Sequence, residues 1–172
     1  MREPSLPVSR TGRDQLELRL EAHERRILGS LVAELRGELD DPAGVVSGGV
    51  LSRLYPPAFP DDPVASADYA DLVHADLAQI RRDRVAVVEA TIDAASLDEA
   101  QAGAWLGVLN DARLVLGTSL GLRDEAPGEL PDDDDPEAMR YAVFAYLGWL
   151  VGAFTDALAE GLPEIRDAAD PT

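Results

Sequence analysis

The apolar residues of this chain change period once, near residue 20, and that change dictates what it can fold into. Before it, Leu6, Val8 and Arg10 lead into a turn at residues 11–14, and afterwards Leu16, Leu18 and Leu20 alternate with Gln15, Glu17 and Arg19. Period-2 alternation on both sides of a Gly-containing turn predicts a β-hairpin, and Pro7 confines its first strand to a sheet edge. A lone hairpin is marginal in water, so it must lie on other elements. From Glu21 the spacing becomes three and four. Ile27, Leu28, Leu31, Val32, Leu35 and Leu39 mark one face of a first helix.

Three further helices follow from the same pattern. Asp62 as N-cap with Pro63 at the first helical position opens the second. It presents Tyr69, Leu72, Val73, Leu77, Ile80, Val88 and Ile92, and runs to about residue 95 with a bend near 81–84. Ser96 and Glu99 read as a capping box opening the third, which carries Trp105, Leu106, Leu109, Leu116 and Leu120. Asp135 followed by Pro136 opens the last, with Val143, Phe144, Leu147, Leu150, Val151, Phe154 and Leu158, and Gly161 stops it. The expected fold is mainly α: a compact bundle of four longer helices with a short N-terminal β-hairpin. It forms one helical domain over residues 1–172, ordered from about residue 6 to 162, with a flexible acidic tail at 163–172. Two rows of small residues, one through Gly103, Gly107, Gly117 and Gly121 and one through Ala145, Gly148, Gly152, Thr155 and Ala159, suggest that the last two helices meet seam to seam. A helical Gly costs about 1 kcal/mol relative to Ala, so such rows call for a reason.

Composition removes several functions. The chain has no cysteine, which excludes disulfides, thiolate zinc sites and thiol switches within it. Its net charge of −18 opposes phosphate-backbone binding, so direct DNA binding is not expected, whereas a basic protein surface would be attracted. The uncharged apolar run at 141–155 falls short of the roughly 20 residues of a membrane span. No apolar segment follows the basic residues at the N-terminus. A cytoplasmic protein is the simplest expectation. All its basic side chains other than histidine are Arg, and Asn occurs once, a bias that fits a GC-rich genome.

No catalytic constellation emerges. His74 and Asp71 stand at i and i+3 without a matching second pair, so neither metal nor cofactor is expected. The run Asp132, Asp133, Asp134 and Asp135 lacks the spacing of a calcium loop and suits a helix N-terminus. There is no phosphate loop, nucleophile elbow or dinucleotide fingerprint. The expectation is a non-enzymatic protein. Two groups of residues stand out. Tyr55 and Phe59 lie in a proline-rich segment, and with the basic cluster Arg81, Arg82 and Arg84 they form a candidate partner-binding surface. Internal packing of the aromatic pair and pairing of the arginines with nearby carboxylates is the competing reading. Asn110, Asp111 and Arg113 interrupt an apolar helix, either as a polar cluster that locks helix register or as the floor of a groove. Oligomeric state is open, since the hairpin edge could be covered or could pair with a second copy.

Three stretches carry a family resemblance: residues 54–63 (LYPPAFPDDP), residues 97–106 (LDEAQAGAWL) continued by 109–121 (LNDARLVLGTSLG), and residues 146–150 around Trp149. Together they resemble an actinobacterial family of unknown function, some of whose members are named oxidative stress transcriptional regulator, AosR. The likeness runs from about residue 6 to residue 158. It implies a cytoplasmic regulator encoded beside the ClpS protease adaptor, sensing through thiols and activating transcription through an alternative sigma factor. Without cysteine this chain cannot form a regulatory disulfide. What remains is a regulatory adaptor that contacts a sigma factor or RNA polymerase in a stress response. The alternative is an accessory protein of ClpS-dependent proteolysis.

Overall fold

In the computed structural model, residues 6–40, 50–59, 61–122, 135 and 137–162 are described, without the side chains of residues 50, 52 and 71. The expected hairpin is present as β1 (Val8–Arg10) and β2 (Gln15–Leu18), paired antiparallel with Val8 opposite Leu18 and Arg10 opposite Leu16. A third strand joins it from far along the chain. β3 (Ser96–Asp98) pairs antiparallel with β2, setting Leu97 opposite Leu16, so the sheet order is β1-β2-β3. Val8, Leu16, Leu18 and Leu97 all turn the same way into the core, as period 2 requires.

Four helices complete the frame: α1 (Ala22–Asp40), α2 (Pro63–Thr91), α3 (Glu99–Ser119) and α4 (Ala138–Ala159), with a short 3-10 turn at Val50–Arg53. The mainly α class with a small N-terminal β element is therefore as expected. α1 buries Leu28, Val32, Leu35 and Leu39, while Ile27 from the same expected face lies exposed. Asp62 caps α2, its carboxylate accepting from the Ala65 N–H at 3.0 Å with Pro63 in the first turn.

Two sequence expectations about the helix starts are corrected. The cap of α3 is Asp98, whose Oδ1 accepts from Gln101 N at 2.7 Å while Gln101 Oε1 accepts from Asp98 N at 2.9 Å. Ser96 belongs to β3 because Leu97 is needed opposite Leu16, which moves the start of the helix by two residues. We expect Asp98→Ala to cost about 1 kcal/mol, read as a lower urea midpoint at unchanged slope. α4 starts at Ala138 with no side-chain cap among the described residues; Asp135 Oδ1 instead accepts from Glu137 N at 2.8 Å. The expectations for residues 41–49, 123–134, Pro136 and 163–172 lie outside the described residues.

The two small-residue rows do not form one seam. On α4, Ala145, Gly152, Thr155 and Ala159 face solvent, and the buried face is Leu147, Leu150, Phe154 and Ala157. The glycines serve separate close approaches. A Cβ on Gly117 would lie 2.9 Å from Cε2 of Phe144, whereas Gly107 and Gly148 leave room for the side chains of Arg84 and Arg113. Gly121, at φ +69°, ends α3 in a Schellman motif, with Leu122 N donating to Gly117 O and Gly121 N to Thr118 O.

The centre of the core is Trp105 on α3. Its ring stacks on Phe154 of α4 with centroids 5.8 Å apart and planes 9° from parallel, and its Nε1–H donates to Thr91 Oγ1 at 2.8 Å. Arg25 clamps the chain between α2 and β3, donating to the carbonyls of Leu20, Ile92 and Ala94. Arg10 fastens the sheet to α4 through the carbonyl of Ala157 at 3.1 Å. By length and composition α4 qualifies as a membrane span, with 22 residues and a mean hydropathy of 1.5, because α-helix extends beyond the uncharged run on both sides. Its apolar face at Leu147, Leu150 and Phe154 is nevertheless spent on the bundle core.

Candidate functional site

Most of the side chains singled out in the sequence are drawn inward. Tyr55 is only 8% exposed, packed 4.9 Å from the His74 ring and beneath the Arg81 guanidinium, which sits 4.8 Å over its centroid. Its hydroxyl has no hydrogen-bond partner among the described residues, and burial pushes its pKa up against the pull of Arg81. Arg81 is also spoken for. Its Nε stands 3.2 Å from Asp111 Oδ2 and its Nη2 donates to Leu54 O at 3.0 Å. Arg82 pairs with Asp40 at 3.1 Å and donates to Leu39 O at 2.9 Å. Arg84 lies along Gly107. The expected surface is thus corrected in part: Tyr55 and Arg81 are internal and Arg82 joins α2 to the end of α1, while Phe59 and Arg84 of the set remain exposed.

Asn110, Asp111 and Arg113 also separate, because neighbouring residues on a helix point in different directions. Asp111 turns to α2, where burial raises its pKa against the opposing pull of Arg81 and Arg84. Arg113 turns to α4, its guanidinium 4.7 Å over the Phe144 ring and its Nε buried with no hydrogen-bond partner among the described residues. Asn110 is half-buried between them. Among the described residues no group of three or more His, Asp and Glu is placed to hold a metal ion, and the side chain of Asp71, expected beside His74, is not among those described.

A different feature dominates the surface. The first half of α2 is only partly packed. Wound at about 100° per residue, Leu72, Tyr69, Ile80, Val73 and Leu77 share one arc, and Ala78, Arg81, Val85 and Val88 occupy another that faces the core. The first arc has no cover among the described residues: Leu72 is 76% exposed, and Tyr69, Leu77 and Ile80 are exposed as well. Phe59 extends it. Ser66 fixes Phe59 twice, accepting from its N–H at 2.9 Å and donating to its carbonyl at 2.7 Å. The Phe59 ring meets Tyr69 edge-on with centroids 6.2 Å apart. The Phe59 backbone is therefore fixed, and two aromatic rings lie side by side at the surface.

Carboxylates frame this face. Asp61, Asp62, Asp68 and Asp76 are exposed along it, and residues 61–80 contain no Lys or Arg. Exposed apolar area rimmed by charge marks an interaction site, and the acidic rim selects basic partners. The sequence reading placed Tyr69, Leu72, Leu77 and Ile80 on one helix face together with Val88 and Ile92. The signal against that was the offset between the stripe at 69, 72, 73, 77 and 80 and the stripe at 78, 81, 85 and 88, too wide a spread for one buried face.

The geometry defines a mainly α bundle with a three-stranded sheet, in which the first half of α2 is uncovered among the described residues. The chain belongs to the family DUF2017, a domain of unknown function, which it matches over residues 5–158. No curated protein and no solved structure gives a match.

Proposed function

We propose that this chain is a non-enzymatic regulatory protein that acts by docking a basic protein partner on the exposed face of α2, and that the partner is a sigma factor or RNA polymerase. The observation that carries the reading is the exposed Phe59–Tyr69 pair continuous with Leu72 and Ile80 and rimmed by exposed aspartates. Aromatic anchors in such a setting concentrate binding energy. The net charge of −18 favours fast encounter with a basic surface and disfavours nucleic acid. The resemblance to the actinobacterial oxidative-stress regulators supports a transcriptional role in the cytoplasm. With no cysteine, any signal reaches this chain by a route other than its own thiols.

The test is affinity capture from native lysate with tagged wild-type protein and with Leu72→Asp/Ile80→Asp. Both positions are exposed, so the variant folds. Wild type is expected to enrich RNA polymerase or sigma subunits, equally with and without oxidative stress, and the variant to lose at least tenfold of that enrichment. Absence of polymerase and sigma subunits from the wild-type capture overturns the transcriptional assignment, and recovery of ClpS or protease subunits in their place moves the reading to proteolysis.

A further inference from the structure

Away from that face, α1 and α4 diverge over α3. At one end the Tyr146 hydroxyl donates to Glu24 Oε1 at 2.7 Å and joins the two helices. Burial and this hydrogen bond push the Tyr146 pKa up, so the tie keeps its proton. Beyond it the helices enclose a cleft of about 630 Å³. Its floor is Ala112, Val115 and Leu116 of α3, with Leu35 on the α1 side and Val143 on the α4 side. This volume falls within the range of small-molecule sites, and an apolar lining with a few polar groups is their usual chemistry.

The polar groups at the rim are unequal. On the α4 side, Arg140 is engaged: its Nη2 donates to Ser119 Oγ at 2.6 Å and its Nη1 lies 3.8 Å from Glu137. On the α1 side, Glu34 and Glu38 stand one turn apart, and neither has a hydrogen bond or ion pair among the described residues. The contrast with Arg36 on the same helix is instructive, since it makes two bonds to Glu89. Two free carboxylates repel each other across one turn, and a cation between them relieves that repulsion.

We propose that this cleft binds an amphipathic organic cation: an apolar body lying on Val115, Leu116 and Val143, with a protonated nitrogen between Glu34 and Glu38. The inference stands apart from the partner-binding face on α2. An anionic ligand is the poorer match, because the two glutamates oppose a second negative charge and Arg140 at the rim already faces the Glu137 carboxylate at 3.8 Å.

Titration calorimetry on the full chain with three probes of one tail tests it: octylammonium, octanol and octanoate. Octylammonium is expected to bind at least tenfold more tightly than octanol, and octanoate more weakly than either. Glu34→Gln/Glu38→Gln should remove the preference for the ammonium while leaving octanol unchanged. Asp156→Asn/Glu160→Gln removes the same charge about 25 Å away along α4 and should leave the preference intact, which separates the site from the general field of an acidic chain. Val143→Phe narrows the cleft and should weaken all three probes. Equal binding of the three probes, tightest binding of octanoate, no binding at all, or equal effects of the two charge-removing pairs would each overturn the proposal.

Discussion

Trp105→Ala is expected to lower the unfolding free energy by about 3–5 kcal/mol, a large share of the roughly 5–15 kcal/mol that holds a domain of ordinary stability together. Trp105 is fully buried, so truncation removes its transfer free energy and leaves a cavity between α3 and α4. The stack on Phe154 is lost with it. The hydrogen bond is the smaller part: Thr91 Oγ1 also donates to Val87 O at 2.7 Å, so the hydroxyl stays satisfied when the indole leaves. Trp105→Phe should therefore cost clearly less than Trp105→Ala, because it keeps most of the packing and drops only the Nε1–H donor. Urea unfolding followed by far-ultraviolet circular dichroism gives both values. A loss below about 1 kcal/mol for the alanine variant would show that this ring pair is not the centre of the core.

The second large effect is at the Arg81–Asp111 pair. Asp111→Ala should destabilise by about 3 kcal/mol, because it leaves the Arg81 guanidinium largely buried without its counter-charge. The double variant Arg81→Met/Asp111→Leu should recover most of that loss, since apolar side chains of similar size avoid the cost of burying two charges. The raised pKa of Asp111 points the same way: its burial outweighs the attraction of Arg81 and Arg84. A carboxyl whose pKa is raised by folding binds its proton more tightly in the native state. Its contribution to stability therefore falls as pH rises from the ordinary carboxylate range through the raised value. Asp111→Asn should flatten that part of the pH–stability curve. A wild-type slope that survives in Asp111→Asn would assign the pH dependence to other carboxylates.

These two sites show how unevenly the fold could be read in advance. The helices were legible because each carries apolar residues at three and four spacing, and Asp62 with Pro63 marked the start of α2 by local chemistry alone. The hairpin was legible because alternation and a Gly turn are also local. The third strand was not: Ser96, Leu97 and Asp98 are too few to show a period, and they become a strand only because Leu16 lies opposite Leu97. The fate of the arginines was hidden for the same reason. Arg81, Arg82 and Arg84 are neighbours in sequence, but a helix sends them to Asp111, to Asp40 and to the gap left by Gly107, three places on two other helices.

The candidate site lies between these cases. Phe59 could be singled out from its proline-rich surroundings, but Tyr69, Leu72 and Ile80 read as part of the same helix face as the buried Val88. An apolar stripe states that a helix has a face to bury, and it does not state whether the chain has an element to spare for covering it. That depends on how far α1 and α3 reach along α2, a matter of tertiary packing. Local order, the helices, the first cap and the hairpin, came from short-range sterics and periodicity that any segment carries within itself. Which charges are paired, which strand completes the sheet and which apolar face stays open were set by contacts between residues up to about 150 positions apart, such as Arg10 with Ala157, and those exist only once the helices have packed.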